Sequence, residues 1–214
     1  MATYTVSKQF VWQGPLSERA VRVCRMFGLT VDRLTSGAPC HKCKVRIRPG
    51  DIVYLTGPSG AGKSVLLGEL KRCVPAEDAI DLADIELPDD RTVIDCFGDD
   101  LVASLQTLSA VGLADVFSIL NRPWRLSDGQ KHRFRLAQAL ASGRPFVLAD
   151  EFCSELDRIT AATVAFNVHR FAKRAGLTLI LASGRDDILI DLAPDVLISK
   201  DFRGQAQVIY KENV

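Results

Sequence analysis

"DIVYLTGPSGAGKS", Asp51 to Ser64, decides the fold class of this chain. An apolar run ends at Gly57, and the eight residues from Gly57 to Ser64 fit G-x-x-x-x-G-K-[ST] without a mismatch. A helix is predicted from Gly62 to about Cys73, ended by Pro75. A strand, a glycine-rich turn and a helix in that order give the motif the context it requires. The glycines let the backbone curl so that successive N–H groups and a helix N-terminus face anionic oxygens. On this reading Gly57, Pro58, Ser59, Gly60, Ala61, Gly62, Lys63, Ser64 and Val65 cradle the phosphates of a nucleotide. Lys63 reaches the β- and γ-phosphates, and the Ser64 hydroxyl ligates Mg²⁺.

Working outward, "FVLADE" (Phe146 to Glu151) is an apolar strand that delivers two adjacent carboxylates at its end. Asp150 suits a Mg²⁺ role, and Glu151 is placed to polarise a water for in-line attack on a γ-phosphate. Between the two motifs, "LSDGQKHRFRLAQALA" (Leu126 to Ala141) opens on a glycine-bearing turn and continues as a helix from Asp128. As a plain helix start it has Ser127 or Asp128 for a cap and Gln130 in the first turn. Helices are also predicted over "SERAVRVCRMFGL", "DDLVASLQTLSAVGL", "ADVFSIL" and "DRITAATVAFNVHRFAKRAG", and a buried strand over "LTLILAS". Near-continuous apolar strands alternating with helices predict a mainly parallel α/β sheet covered on both faces.

The 214 residues suffice for one sizeable core, and 47% apolar with 25% charged residues is ordinary for a globular protein. A net charge of +1 gives no global reason to expect nucleic acid or an anionic membrane. No apolar run approaches the roughly 20 residues that span a bilayer. The N-terminus lacks a signal-peptide core, so a cytoplasmic location is expected. Six scattered cysteines (24, 40, 43, 73, 96 and 153) read mostly as buried small apolar side chains. "CHKC", residues 40–43, has the spacing of half a zinc site, set against a surface loop with reduced thiols. The run "KHRFR" reads as a solvated face or as a partner or nucleic-acid patch.

Taken together these motifs resemble the ABC-type ATPases. "VRIRPGDIVYLTGPSGAGKS" is similar to the family's strand-turn-strand entry to the Walker A loop, and "LSDGQ" to its signature LSGGQ, with Asp128 in place of the first of two glycines. "SELD", Ser154 to Asp157, resembles the D-loop. The resemblance implies a P-loop fold over residues 1–214, with an N-terminal part at 1–43 and a reduced helical subdomain at 76–142. It implies ATP and Mg²⁺ as ligands, Lys63 and Glu151 as catalytic residues, and Ser64 and Asp150 at the metal. It also implies a head-to-tail dimer in which Ser127, Gly129 and Gln130 close over the other subunit's ATP. An unidentified protein partner is compatible with it.

The chain departs from the family in three places. Gly184 stands where a switch histidine is expected, with Arg185 as a substitute or a surface charge. The glutamine of the Q-loop has no convincing counterpart: Asp95 is a weak stand-in, and Gln106 lies in a predicted helix. Only 62 residues separate Lys63 from Leu126, which shortens the region that docks on membrane partners. For adenine contact, Tyr4, Phe10, Trp12 and Phe27 are upstream candidates. The reading is thus a soluble, nucleotide-driven dimerisation switch, akin to ABC ATPases found beside or fused to other catalytic domains. A transporter subunit and a nucleic-acid-associated switch are the rivals.

Overall fold

The computed structural model describes residues 2–9, 14–30, 41–202 and 205–211. Six strands form the central sheet: β3 (Ile52–Thr56), β4 (Ala79–Asp81), β5 (Phe146–Ala149), β6 (Thr178–Ala182), β7 (Val196–Ser199) and β8 (Gln207–Tyr210). Their order is β4-β5-β6-β3-β7-β8. Every neighbouring pair is parallel except β7 and β8. The carboxyl ends of β3, β5, β6 and β7 therefore share one edge, where ligands of open α/β sheets bind. A separate antiparallel hairpin pairs β1 (Ala2–Lys8) with β2 (His41–Ile47), from Ala2 opposite Ile47 to Lys8 opposite His41.

The alternation of side chains along β3 splits the apolar interior into two cores. Ile52 and Tyr54 face one core, shared with Val147, Leu179 and Leu181 and covered by helices α5 (Asp128–Ala141) and α6 (Arg158–Ala175). Val53 and Leu55 face the other, where helix α2 (Lys63–Arg72) contributes Leu66, Leu67 and Leu70. The inward residues Cys43, Val45 and Ile47 of β2 complete that second core, with Val6 of β1. Helix α1 (Glu18–Met26) is capped by Ser17, whose hydroxyl accepts from the Ala20 N–H at 3.2 Å.

Between β4 and α5 lie α3 (Leu101–Ala110) and the one-turn helix α4 (Val116–Ile119), each capped by an aspartate, Asp100 and Asp115. Helix α3 packs on α5 and α6. A final one-turn helix, α7 (Leu189–Leu192), packs on α6. The doubly covered, mainly parallel sheet expected from the apolar runs is what forms. Among the described residues no helix is long and apolar enough to cross a membrane.

Two expectations change. His41 and Cys43 belong to β2 and not to a surface loop, because alternation carries Cys43 into the core beside Val45. Burial pushes the Cys43 thiol up to about 11, which opposes the thiolate that zinc needs. Cys40 lies outside the described residues, as do Phe10 and Trp12. No His, Cys, Asp or Glu trio able to hold a metal occurs among the described residues. The run "KHRFR" is also not a solvated face. Arg133 donates to the carbonyls of Gly112 at 2.6 Å and Gly129 at 3.2 Å, and Arg135 to that of Ile85 at 3.1 Å. Phe134 is buried, with its ring edge-on to Phe97.

Candidate functional site

The loop from Gly57 to Gly62 follows β3 directly, and three of its glycines have positive φ: 140° at Gly57, 77° at Gly60 and 97° at Gly62. At Gly57 the requirement is steric as well as conformational. A Cβ there would lie 1.9 Å from the carbonyl oxygen of Lys200, the residue that follows β7. Gly62 starts α2 from a left-handed conformation and faces the His41 ring, so that a Cβ would overlap the imidazole. The Lys63 side chain is buried, and its ammonium donates to the carbonyls of Gly57 at 2.8 Å and Pro58 at 3.1 Å. Ser64 is exposed on the first turn of α2. Ala61 is buried, whereas Pro58, Ser59 and Gly60 are exposed.

On the same edge, Asp150 follows β5. One of its carboxylate oxygens accepts the Glu151 N–H at 3.0 Å, which leaves the second oxygen for another ligand. Glu151 has φ 51° and Cys153 φ 60°, both in the left-handed region that costs a non-glycine residue energy. The turn is held from several sides. Phe152 N–H donates to Ala182 at 2.9 Å, and the Ser154 hydroxyl to the Glu151 carbonyl at 2.5 Å. Arg185 donates to the carbonyls of Cys153, at 3.1 Å, and Leu156. Its guanidinium is braced by Asp187 at 3.0 and 2.7 Å, a pairing that holds the Asp187 carboxyl below its ordinary range. Arg185 is thus neither a phosphate ligand nor a free surface charge. It fastens the segment after β6 to the turn after β5.

Gly184 lies against the phosphate loop: a Cβ there would be 3.7 Å from the Gly57 carbonyl and 3.9 Å from the Lys63 ammonium. A side chain at this position would therefore meet the loop, as the alignment of "LASGRDDI" requires. Asp95 does not reach this edge. Its carboxylate accepts from the Thr92 N–H and hydroxyl, closing a local turn. Gln106 lies on α3 in a groove with Asn167 and Arg170.

At the start of α5 the helix-cap reading holds in full. The Ser127 hydroxyl accepts from the Gln130 N–H at 3.3 Å, and the Gln130 side-chain oxygen accepts from the Ser127 N–H at 3.0 Å. This is a capping box. The amide nitrogen of Gln130 donates to Ser118 at 2.8 Å, so the side chain is fully engaged. Asp128 does not cap the helix; its side chain is 93% exposed and pairs with Lys131 at 3.3 Å. Gly129 faces Glu155 in the turn after β5: a Cβ at Gly129 would lie 3.7 Å from that of Glu155.

Several residues near this edge carried no sequence pattern that points to the phosphate loop. Lys200 is almost fully buried beside Gly57. His41 covers Gly62 and has its imidazole pKa lowered by burial and then by Lys200. Thr56 donates to Asp186 at 2.5 Å. His132, one turn into α5, has its Nε2 buried without a partner, and its pKa is lowered by burial and then by Arg135. Of the upstream aromatics, Tyr4 is half-buried on the inner face of β1, where burial raises its pKa, and Phe27 is exposed after α1.

Comparison with known proteins agrees with this arrangement. The family described as ABC transporter matches residues 40–154, more than half of the chain. The lipoprotein-releasing system ATP-binding protein LolD of Novosphingobium aromaticivorans is 28% identical over 200 residues, covering 76% of this chain and 86% of LolD. The methionine import ATP-binding protein MetN of Xanthomonas oryzae pv. oryzae is 30% identical over 185 residues, covering 70% of this chain. The chain spans about half of that relative, 55% of its length. A dimeric ATP-binding cassette in a post-hydrolysis state bound to ADP and Pi superposes with a TM-score of 0.64 at 17% identity, covering 80% of this chain and 90% of the other. The loop on Lys63, the carboxylates after β5 and the capped start of α5 all fall within the matched residues, and the chain belongs to the ABC transporter family as an ABC-type ATPase domain.

Proposed function

We propose that this domain binds and hydrolyses ATP as a dimerisation switch, with Lys63 and Glu151 as its catalytic residues. The observation that carries the reading is the buried Lys63 ammonium, held on two loop carbonyls at the strand edge that also bears Asp150 and Glu151. An ammonium held by neutral carbonyls gains on meeting polyphosphate oxygens, so the loop is prepared for an anion. Residues Gly57 to Val65 would bind the phosphates. Glu151, exposed on its left-handed turn, would take a proton from the attacking water.

Ser64 and the second oxygen of Asp150 are hard oxygen donors of the kind Mg²⁺ takes, and they would hold it. When bound, that ion would offset charge on the phosphates. The other half of each site would come from a second copy. The capping box of α5 uses the Gln130 N–H and leaves those of Asp128 and Gly129, which have no partner inside the helix. These two N–H groups and the exposed Ser127 would meet a γ-phosphate held by the opposing loop. ATP would then favour the closed dimer by its differential contacts, and hydrolysis would release it.

The test is Glu151→Gln with ATP, followed by size-exclusion chromatography with light scattering and an ATPase assay. Turnover should fall by about 10²- to 10⁴-fold, the usual contribution of a general base, while an ATP-dependent dimer accumulates. A variant that stays monomeric at saturating ATP would sink the switch.

A second reading is that of an ATPase subunit of a membrane transporter. Seven large apolar side chains are exposed between Leu101 and Trp124, among them Val102 at 62%, Phe117 at 81% and Leu120 at 61%. Exposed apolar surface of this kind marks protein contact, and the relatives are named as components of import and release systems. Phe117→Glu should leave ATP-driven dimerisation intact and abolish stimulation by a co-purified membrane partner. No stimulation by any neighbouring permease would discard this reading.

A further inference from the structure

We propose that the outer face of the β1–β2 hairpin is a docking surface for single-stranded nucleic acid, gripped through its phosphate backbone. Alternation along "KCKVRIR" sends Cys43, Val45 and Ile47 inward and leaves Lys42, Lys44, Arg46 and Arg48 exposed. Four cations at two-residue steps stand about 6.7 Å apart and span about 20 Å. At a rise of about 3.4 Å per nucleotide, that length faces about six phosphates of one stacked strand.

The four cations are not neutralised locally: among the described residues none takes part in an ion pair. The chain as a whole carries only +1, so this charge is concentrated on one face. Register places Thr5 across from Lys44 and Thr3 across from Arg46, both exposed. Hydroxyls beside cations are the donors that position phosphates. At the far end, Asp51 and Asp195 line a cavity of about 170 Å³ with Arg48, Tyr210 and Lys211. Both are already engaged: Asp51 accepts the Arg48 N–H at 2.7 Å, and Asp195 pairs with Lys173 at 2.6 Å.

The character of the face selects among polyanions. The Arg46 guanidinium lies 5.1 Å over the Tyr210 ring, and the Tyr210 hydroxyl accepts the Arg46 N–H at 2.9 Å. An exposed guanidinium beside an aromatic ring offers planar surface on which a base can stack. An acidic peptide has no use for such a plane. A lipid surface needs apolar side chains to insert, and this face offers threonines between its cations.

The test is fluorescence anisotropy with a 5′-labelled oligouridylate of 12 nucleotides, without added ATP, so the outcome is independent of the ATPase reading. With four phosphate contacts and a single-strand slope of about −0.7 per contact, affinity should fall about 50-fold between 50 and 200 mM salt. K42Q/K44Q/R46Q/R48Q should abolish binding with an unchanged melting temperature. Lys44→Glu alone should weaken it and flatten the salt slope. Arg46→Lys should keep the slope and lose about tenfold in affinity, the order of one stacking contact. Undiminished binding by the quadruple variant would overturn the proposal. So would equal competition by polyglutamate, or binding confined to phosphatidylserine vesicles.

Discussion

The phosphate loop and the start of α5 are both glycine-bearing helix entries, yet the chain treats them in opposite ways. At Gly57 and Gly62 close neighbours are supplied from within: the Lys200 carbonyl just after β7, the His41 ring from β2, and the Lys63 ammonium folded onto the loop itself. At Ser127 the capping box and Ser118 consume both ends of Gln130, while Asp128 stands in solvent. One entry is enclosed by its own fold and the other is finished as a helix but open as a surface. The difference is what the proposed composite site would require, since a surface offered to another copy must be stable without it.

The strongest challenge to this contrast is Gly57→Ala. A Cβ 1.9 Å from a backbone carbonyl, on a residue with φ 140°, has no place to relax. The expected loss is at least about 3 kcal/mol, in the range reserved for overpacking and backbone strain. That corresponds to a fall of about 10 °C in melting temperature for a chain of this size. A thermal scan showing an unshifted midpoint would mean that the loop is not enclosed as described.

Gly184→His sharpens the same comparison from the side of the chemistry. The position tolerates a side chain, because its Cβ contacts would be ordinary ones at 3.7 and 3.9 Å. An added donor beside Lys63 should raise kcat by about tenfold, a fraction of what a placed oxyanion donor contributes. Steady-state turnover of the variant decides it, and no gain would show that the natural glycine costs the site nothing.

Much of the fold was legible because it rests on local pattern. The apolar strands, the glycine spacing and the helix from Asp128 to Ala141 each follow from residues within a turn or two of one another. Partnerships over longer separations were not legible. Arg135 reaches the carbonyl of Ile85, and Arg133 that of Gly112, so a run of charge that reads as solvated is spent on backbone. Arg185 was weighed as a phosphate ligand or a surface charge and is instead bound to two carbonyls more than 25 residues away. Lys200 had no signal at all, and His41 read only as part of the CHKC metal spacing, since the meaning of both lies in which glycine they face. The inward turn of Cys43, by contrast, follows from the alternation of β2 and was open to a longer strand assignment.

The smallest effect is expected at Asp128→Gly. Glycine in a first turn and the loss of a charge favourable to the helix N-terminus should together cost about 1 kcal/mol of stability. Removing a carboxylate from the face proposed to meet a γ-phosphate should tighten the ATP-bound dimer two- to threefold. Chemical denaturation and analytical ultracentrifugation separate these opposed signs. A dimer no tighter than wild type would mean that the Asp128 charge is screened by Lys131 and solvent.

The brace at Arg185 carries a consequence for timing. One guanidinium joins Asp187, Cys153 and Leu156, so the stretches after β5 and β6 are coupled into one rigid lever. Gly184, against the phosphate loop, is thereby tied through its neighbour Arg185 to the turn that carries Glu151 and Glu155. Glu155 in turn abuts Gly129 at the mouth of α5. In the proposed dimer, a change beside the phosphate loop would therefore have a short route to the surface offered to the second copy.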